Sequence, residues 1–124
     1  MRLLLDTHAA LWWLSGDGRV GDVAERELSS RRNEVLLSAA VVWEVAIKSS
    51  LGKLDAPGEF ASTLLGAGVQ ALPVSLDHAA AVEHLPWHHR DAFDRLLVSQ
   101  ASIEGASIVS SDHALEPYGV PLIW

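Results

Sequence analysis

Four acids spread along this chain, Asp6, Glu44, Asp94 and Asp112, have the types and the placement to act together on a cation or a phosphate. Asp6 directly follows the apolar run Leu3, Leu4, Leu5, and Asp112 follows Ile108 and Val109 with Ser110 and Ser111 between. In open α/β sheets the working crevice lies beyond the carboxyl ends of the strands, so both acids belong to that rim. Glu44 falls about one and a half turns into a helix leaving another short apolar run. Helical side chains lean toward the N-terminus, which aims its carboxylate back at the same rim. Asp94 opens a helix that leads into Ile108 and Val109, so its N-terminus should face the rim too.

Singly, each acid has an ordinary role. Asp6 and Asp112 can cap helices after strands. Glu44 is spaced i,i+4 from Lys48, the arrangement of a helix-face ion pair. Asp91 and Asp94 have capping-box spacing. Jointly they conflict, because clustered carboxylates without partners repel and raise one another's pKa. A divalent cation held by Asp6, Glu44, Asp94 and Asp112 resolves the conflict, and an all-oxygen donor set suits Mg²⁺ or Mn²⁺ rather than zinc.

The elements that must position these acids alternate between strand and helix. Leu3–Leu5 reads as a strand, and THAALWWLS as a helix capped by Asp6 or Thr7. VGDVAERELSSRRN reads as a solvated amphipathic helix. Val35, Leu36 and Leu37 form a second strand ahead of the long helical pattern SAAVVWEVAIKSSLGKL, which stops at Gly52. Pro57 is expected at the first turn of PGEFASTLLGAG. QALPVS is a third strand, kept off a central ladder by Pro73. SLDHAAAVEHL and DAFDRLLVSQASIEG are further helices, and ASIVS and PLIW the last strands. Short apolar runs without polar alternation indicate a parallel sheet covered on both faces, hence the α/β class. No repeat, linker or low-complexity stretch divides the chain, so residues 1–124 are expected to form one domain.

Composition narrows the chemistry. The chain has 124 residues, 49% of them hydrophobic, which is enough for a core and excludes intrinsic disorder. It has no cysteine, which removes disulfides, thiolate metal sites and thiol catalysis. No apolar run reaches the about 20 residues of a spanning helix, and the N-terminus carries an acid and a histidine where a signal peptide is apolar. A cytoplasmic protein without a membrane partner is expected. The formal charge of −7 argues against nucleic-acid binding, although setting four site acids aside raises it by four to −3. Arg90, Arg95, Lys48 and Lys53 are then candidates for steering a phosphate backbone, each equally readable as an ordinary solvated charge.

Five stretches in order, LLLDTHAALWWL, SAAVVWEVAIKSSLGKL, HHRDAFDRLLVSQA, IVSSD and YGVPLIW, resemble the PIN-domain ribonucleases and more narrowly the VapC toxins of bacterial toxin–antitoxin pairs. The resemblance covers nearly the whole chain. It implies a three-layer fold with a small parallel sheet between helices, and a metal-dependent endoribonuclease checked by a cognate antitoxin and commonly paired as a homodimer. Carried over residue by residue, the acidic quartet falls on Asp6, Glu44, Asp94 and Asp112. Ser110 stands where the family often has a supporting Thr or Ser, and Asp91 is an additional acid of the HRDAFDR stretch. Ala92, where relatives commonly have Pro, and Ser111 before Asp112 depart from the pattern without removing an acid. A catalytically inactive RNA- or protein-binding module and a housekeeping nuclease without antitoxin are the alternatives.

Other constellations are weaker. His84, His88 and His89 have metal-like spacing, but Pro86 interrupts any helix between them. His8 is expected at the rim. Trp12, Trp13, Trp43 and Trp124 are expected mostly in the core, with Trp12 or Trp13 turned to a partner. A haloacid-type phosphatase would need an acid where His8 stands, and a receiver domain a lysine after the last strand.

Overall fold

Leu3, Leu4 and Leu5 are fully buried, so the strand they form must be covered on both faces and flanked on both edges. The computed structural model, which describes residues 1–124, places this strand, β1 (Arg2–Leu5), at the centre of a five-stranded sheet. With β2 (Glu34–Ser38), β3 (Gln70–Leu72), β4 (Ser107–Val109) and β5 (Leu122–Ile123), the order is β3-β2-β1-β4-β5, and every pair is parallel. Leu4 is in register with Leu36 on one side and Ile108 on the other.

Parallel strands need helical crossovers, and the chain supplies them. They are α1 (Thr7–Ser15), α2 (Asp22–Ser29), α3 (Ala39–Ser50), α4 (Phe60–Gly66), α5 (Leu76–Ala81) and α6 (Ala92–Glu104). α3 packs on α1 and α6, and α5 on α6. Their inward residues are mostly small or branched, among them Ala9, Ala10, Val41, Val45, Leu97, Val98 and Ala101. No helix is long and apolar enough to cross a membrane.

The strand order reverses at β1: the chain moves outward through β2 to β3, then returns to the other side of β1 as β4. That reversal opens a crevice beyond the carboxyl ends of β1 and β4. The opposite end is closed by Arg2, whose guanidinium bonds Glu34, the Glu104 carboxylate and the Glu104 carbonyl. Glu104 also meets His78 at 2.9 Å, and these two partners hold its carboxyl below the usual range.

Several boundaries differ from the sequence expectation. Pro57 does not open α4; it starts a turn closed by the Phe60 amide donating to the Pro57 carbonyl at 3.1 Å, and the helix begins at Phe60. SLDHAAAVEHL is regular helix only to Ala81 and tightens to 3₁₀ over Val82–His84 before Pro86. An unanticipated 3₁₀ segment, His113–Tyr118, follows Asp112. The tryptophans are not core residues. Trp12, Trp13 and Trp124 are half-buried, and Trp43 is exposed, because leucine, valine and alanine already fill the space around the sheet. Gly21 admits the end of the chain: a Cβ there would meet the Trp124 backbone at 2.6 Å.

Because Leu4 is enclosed by two strands and by helices, its truncation cannot be relieved by collapse of one neighbour. Leu4→Ala should cost about 2–5 kcal/mol in urea unfolding. A loss below about 1 kcal/mol would contradict this placement.

Candidate active site

The crevice at the strand reversal collects acids through ordinary capping. Asp6, the first residue after β1, is the N-cap of α1, and its Oδ1 accepts from the Ala9 amide at 2.7 Å. Asp112 caps the 3₁₀ segment beyond β4, with Oδ1 accepting from the Ala114 amide at 2.9 Å. Between β4 and Asp112, buried Ser110 accepts from the Asp112 amide through its Oγ at 3.0 Å, and its hydroxyl faces Asp6. Asp91 caps α6 by accepting from the Asp94 amide at 2.9 Å, which sets Asp94 in the first turn. The capping roles legible in sequence are thus realised, and they are the means by which the acids are held at the rim.

Burial then sets their electrostatics. Desolvation is the main cause pushing the Asp6 carboxyl up, against the Ser110 hydroxyl and the Ala9 amide, and the charge of Asp112 adds to the rise. Asp94 is pushed up to about 6, first by burial, then by Asp91, and further by Asp112, with His89 opposing. Asp6 and Asp94 therefore each feel Asp112 across the crevice although the three come from different segments.

Glu44 is buried on α3, and both its oxygens are engaged. The Thr7 hydroxyl donates to Oε1, and Lys48 Nζ lies 2.7 Å from Oε2. The helix-face pair read from the sequence is present, and it is not remote: Lys48 also feels the charges of Asp91 and Asp94, which raise its pKa after the Glu44 bond itself. The structure thus brings all four predicted acids to one rim, three across the crevice and Glu44 through Thr7 and Lys48.

As a test of metal fit, the donor set is all oxygen, and Oδ1 of Asp94 and Oδ2 of Asp112 accept no protein hydrogen bond. Lys48 feels Asp94 but is bonded to Glu44, and no salt bridge reaches Asp6 or Asp112. Their side chains as placed do not bring three ligands to the spacing of a closed coordination shell. The donors suit a hard cation that keeps waters, which needs fewer protein ligands.

Of the cations proposed to steer RNA, Arg95 must be corrected. It is 2% exposed, buried on the inner face of α6. Its guanidinium donates to the Pro86, Leu85 and Val82 carbonyls and to the Tyr118 hydroxyl. Lys48 is committed to Glu44, and Lys53 lies past the C-terminal end of α3, away from the rim. Arg90 alone is both exposed and next to the site.

Sequence reasoning weighed His89 only as a metal ligand beside His84 and His88, and passed over Tyr118. His89 Nε2 lies 3.2 Å from Asp94 Oδ2, and its Nδ1 lies 2.7 Å from the Tyr118 hydroxyl. The available signal was the adjacency of HH to RDAFD. His8 is at the rim as expected, exposed and stacked on Trp12 with centroids 5.3 Å apart.

A family model described as the PIN domain matches residues 3–120. The chain belongs to the PIN-domain family. Solved structures with this PIN domain's fold include a chain of VapBC2 from Rickettsia felis bound to a promoter DNA fragment, with a TM-score of 0.73 at 16% identity. That match covers 98% of this chain and 97% of the other. A chain of DNA-bound VapBC from Salmonella typhimurium gives 0.72 at 14% identity, covering 98% and 96%. VapBC-5 from Mycobacterium tuberculosis, a member of the VapBC family of toxin–antitoxin systems, gives 0.61 at 16%, covering 98% and 97%. These likenesses show that the PIN domain shares their fold. No curated protein sequence matches it significantly.

The Asp94 shift carries a sign. A carboxyl whose folded pKa is raised contributes stability that is present below its unfolded value, 3.8, and lost as pH rises through about 6. Without divalent cations, Asp94→Asn should therefore gain stability relative to the parent between pH 5 and pH 7.5. Melting curves at the two pH values read this difference, and an unchanged gap would contradict the crowding.

Proposed function

We propose that this PIN domain is a Mg²⁺- or Mn²⁺-dependent endoribonuclease acting as the toxin of a toxin–antitoxin pair. The observation that carries the reading is the meeting of Asp6, Asp94 and Asp112 at the strand reversal, where Asp6 and Asp94 are partly desolvated and each feels the charge of Asp112. Crowded carboxylates with free oxygens store an affinity for divalent cations that a purely structural cap would not need. The VapBC likeness in fold supports the toxin part of the reading.

Asp6, Asp94 and Asp112 would hold the cation, with Glu44 completing the acidic set. When bound, the cation supplies Lewis acidity toward water and phosphate and neutralises charge developing on the phosphate in the transition state. The chain's own residues prepare the ground. The Ala9 and Ala114 amides fix one oxygen each of Asp6 and Asp112. His89, held by Tyr118, orients Asp94. Thr7 and Lys48 hold the buried Glu44 in place. In this reading the nucleophile is water rather than a side chain of the protein.

Purified protein should cleave RNA with Mn²⁺, stop in EDTA, and lose roughly a hundredfold or more in rate as Asp6→Asn with its circular dichroism unchanged. Mn²⁺ at about a hundred times its Kd should add about 2.7 kcal/mol to stability, read as a rise in melting temperature that Asp112→Asn diminishes. Cleavage by Asp6→Asn at the parental rate would overturn the assignment. For the toxin role, expression alone should arrest growth, and co-expression with a small antitoxin should restore it and yield an inactive complex of a homodimer. A monomer that cleaves RNA without harming the cell would leave a housekeeping nuclease.

A further inference from the structure

Trp87 is 74% exposed, yet it is not a loose side chain. Its inner face lies against the Arg95 guanidinium, whose central carbon is 3.9 Å from the ring centroid. Arg95 is itself almost fully buried and pairs with no carboxylate; three backbone carbonyls and the Tyr118 hydroxyl hold it. The indole is thus clamped from inside by a fixed cation while its outer face stays in water. A ring seated on a buried cation with its other face open offers that face to a planar group.

Its surroundings say which contact. Exposed His88 and Arg90 follow it in the same loop, and Arg90 enters no salt bridge; exposed Glu83 is engaged with His84. The hydroxyl of Tyr118 that receives Arg95 also meets His89 Nδ1, and His89 Nε2 meets Asp94. Trp87 and the Asp94 carboxylate are therefore fastened to one hydrogen-bonded frame. In a chain of net charge −7, RNA must be attracted locally, and this loop offers an unpaired guanidinium beside an open aromatic face next to the acids.

We propose that the outer face of Trp87 stacks an unpaired base of single-stranded RNA entering the acidic crevice, with Arg90 on an adjoining phosphate. This rests on the nuclease reading and adds to it a base-stacking position at Trp87, since duplex bases are stacked on one another and cannot lie on the indole. Stacking on an aromatic ring tolerates any base, so the subsite sets strandedness and position, not sequence. A ring fixed before binding loses little freedom on contact.

The test uses the whole chain and a single-stranded RNA oligonucleotide spanning a cleavage position mapped in total RNA with Mn²⁺. Trp87→Ala should raise KM about 5- to 100-fold, the span of one base–aromatic stack, with kcat much less affected. Trp87→Phe should restore most of it, and melting temperatures confirm that both variants fold. Replacing single nucleotides by abasic ones should find one position where the parent loses affinity and Trp87→Ala loses no more. An unchanged KM, or equal sensitivity of both proteins at every abasic position, overturns the stacking subsite while leaving the nuclease intact. If Trp87→Ala instead spares RNA and weakens only a co-expressed protein partner, the ring is a protein contact and the proposal falls. If the parent neither binds nor cleaves RNA, the nuclease reading falls with it.

Discussion

The pairing of β1 with strands on both sides is the constraint on which the molecule depends. Leu4 faces Leu36 in one neighbour and Ile108 in the other, and the ladder continues past the strand where the Asp6 amide donates to the Val109 carbonyl at 3.2 Å. That bond fixes Asp6 against the end of β4, one residue before Ser110 and three before Asp112. Acids far apart in sequence become neighbours because parallel pairing aligns strand ends on one edge, and the order reversal leaves that edge open there.

Capping and chemistry are the same contacts seen twice. Asp6, Asp91 and Asp112 each satisfy backbone amides that a helix start leaves without partners, which secures them where like charges are close, Asp6 buried and the other two open to solvent. A cap normally lowers a carboxyl pKa, yet burial outweighs the Ala9 bond at Asp6. The net effect is a carboxylate that is geometrically fixed and electrostatically strained, a state that a cation relieves.

This explains what could be read from the chain alone. Strand-end acids are visible because the apolar runs Leu3–Leu5 and Ile108–Val109 announce the strands, and topology then does the gathering. The capping pairs are visible because they are local, three residues or fewer in span. His89 to Tyr118 spans 29 residues and crosses from the loop before α6 to a 3₁₀ segment that carries no periodic signal. Arg95 misleads for a related reason: charge marks a residue as solvated unless the sequence shows what would satisfy it, and carbonyls of residues 82, 85 and 86 leave no mark. The tryptophans mislead because size suggests burial while the sheet is already enclosed by smaller side chains.

Arg95 also shows why the frame around Asp94 is built from neutral acceptors. A buried guanidinium left unsatisfied is costly, and the usual remedy is a carboxylate. Here such a carboxylate would stand beside Tyr118, whose hydroxyl leads through His89 to Asp94, and would push the Asp94 carboxyl still higher. Carbonyl oxygens and a phenol hydroxyl satisfy the same donors without adding negative charge. The helix start can then carry Asp94 in its first turn, poised near 6, where a modest change in surroundings decides whether it is ionised. The aromatic rings that cover Arg95, Trp87 above and Tyr118 beside it, accept a cation through their faces, so the enclosure of the guanidinium and the exposure of one indole follow from a single arrangement.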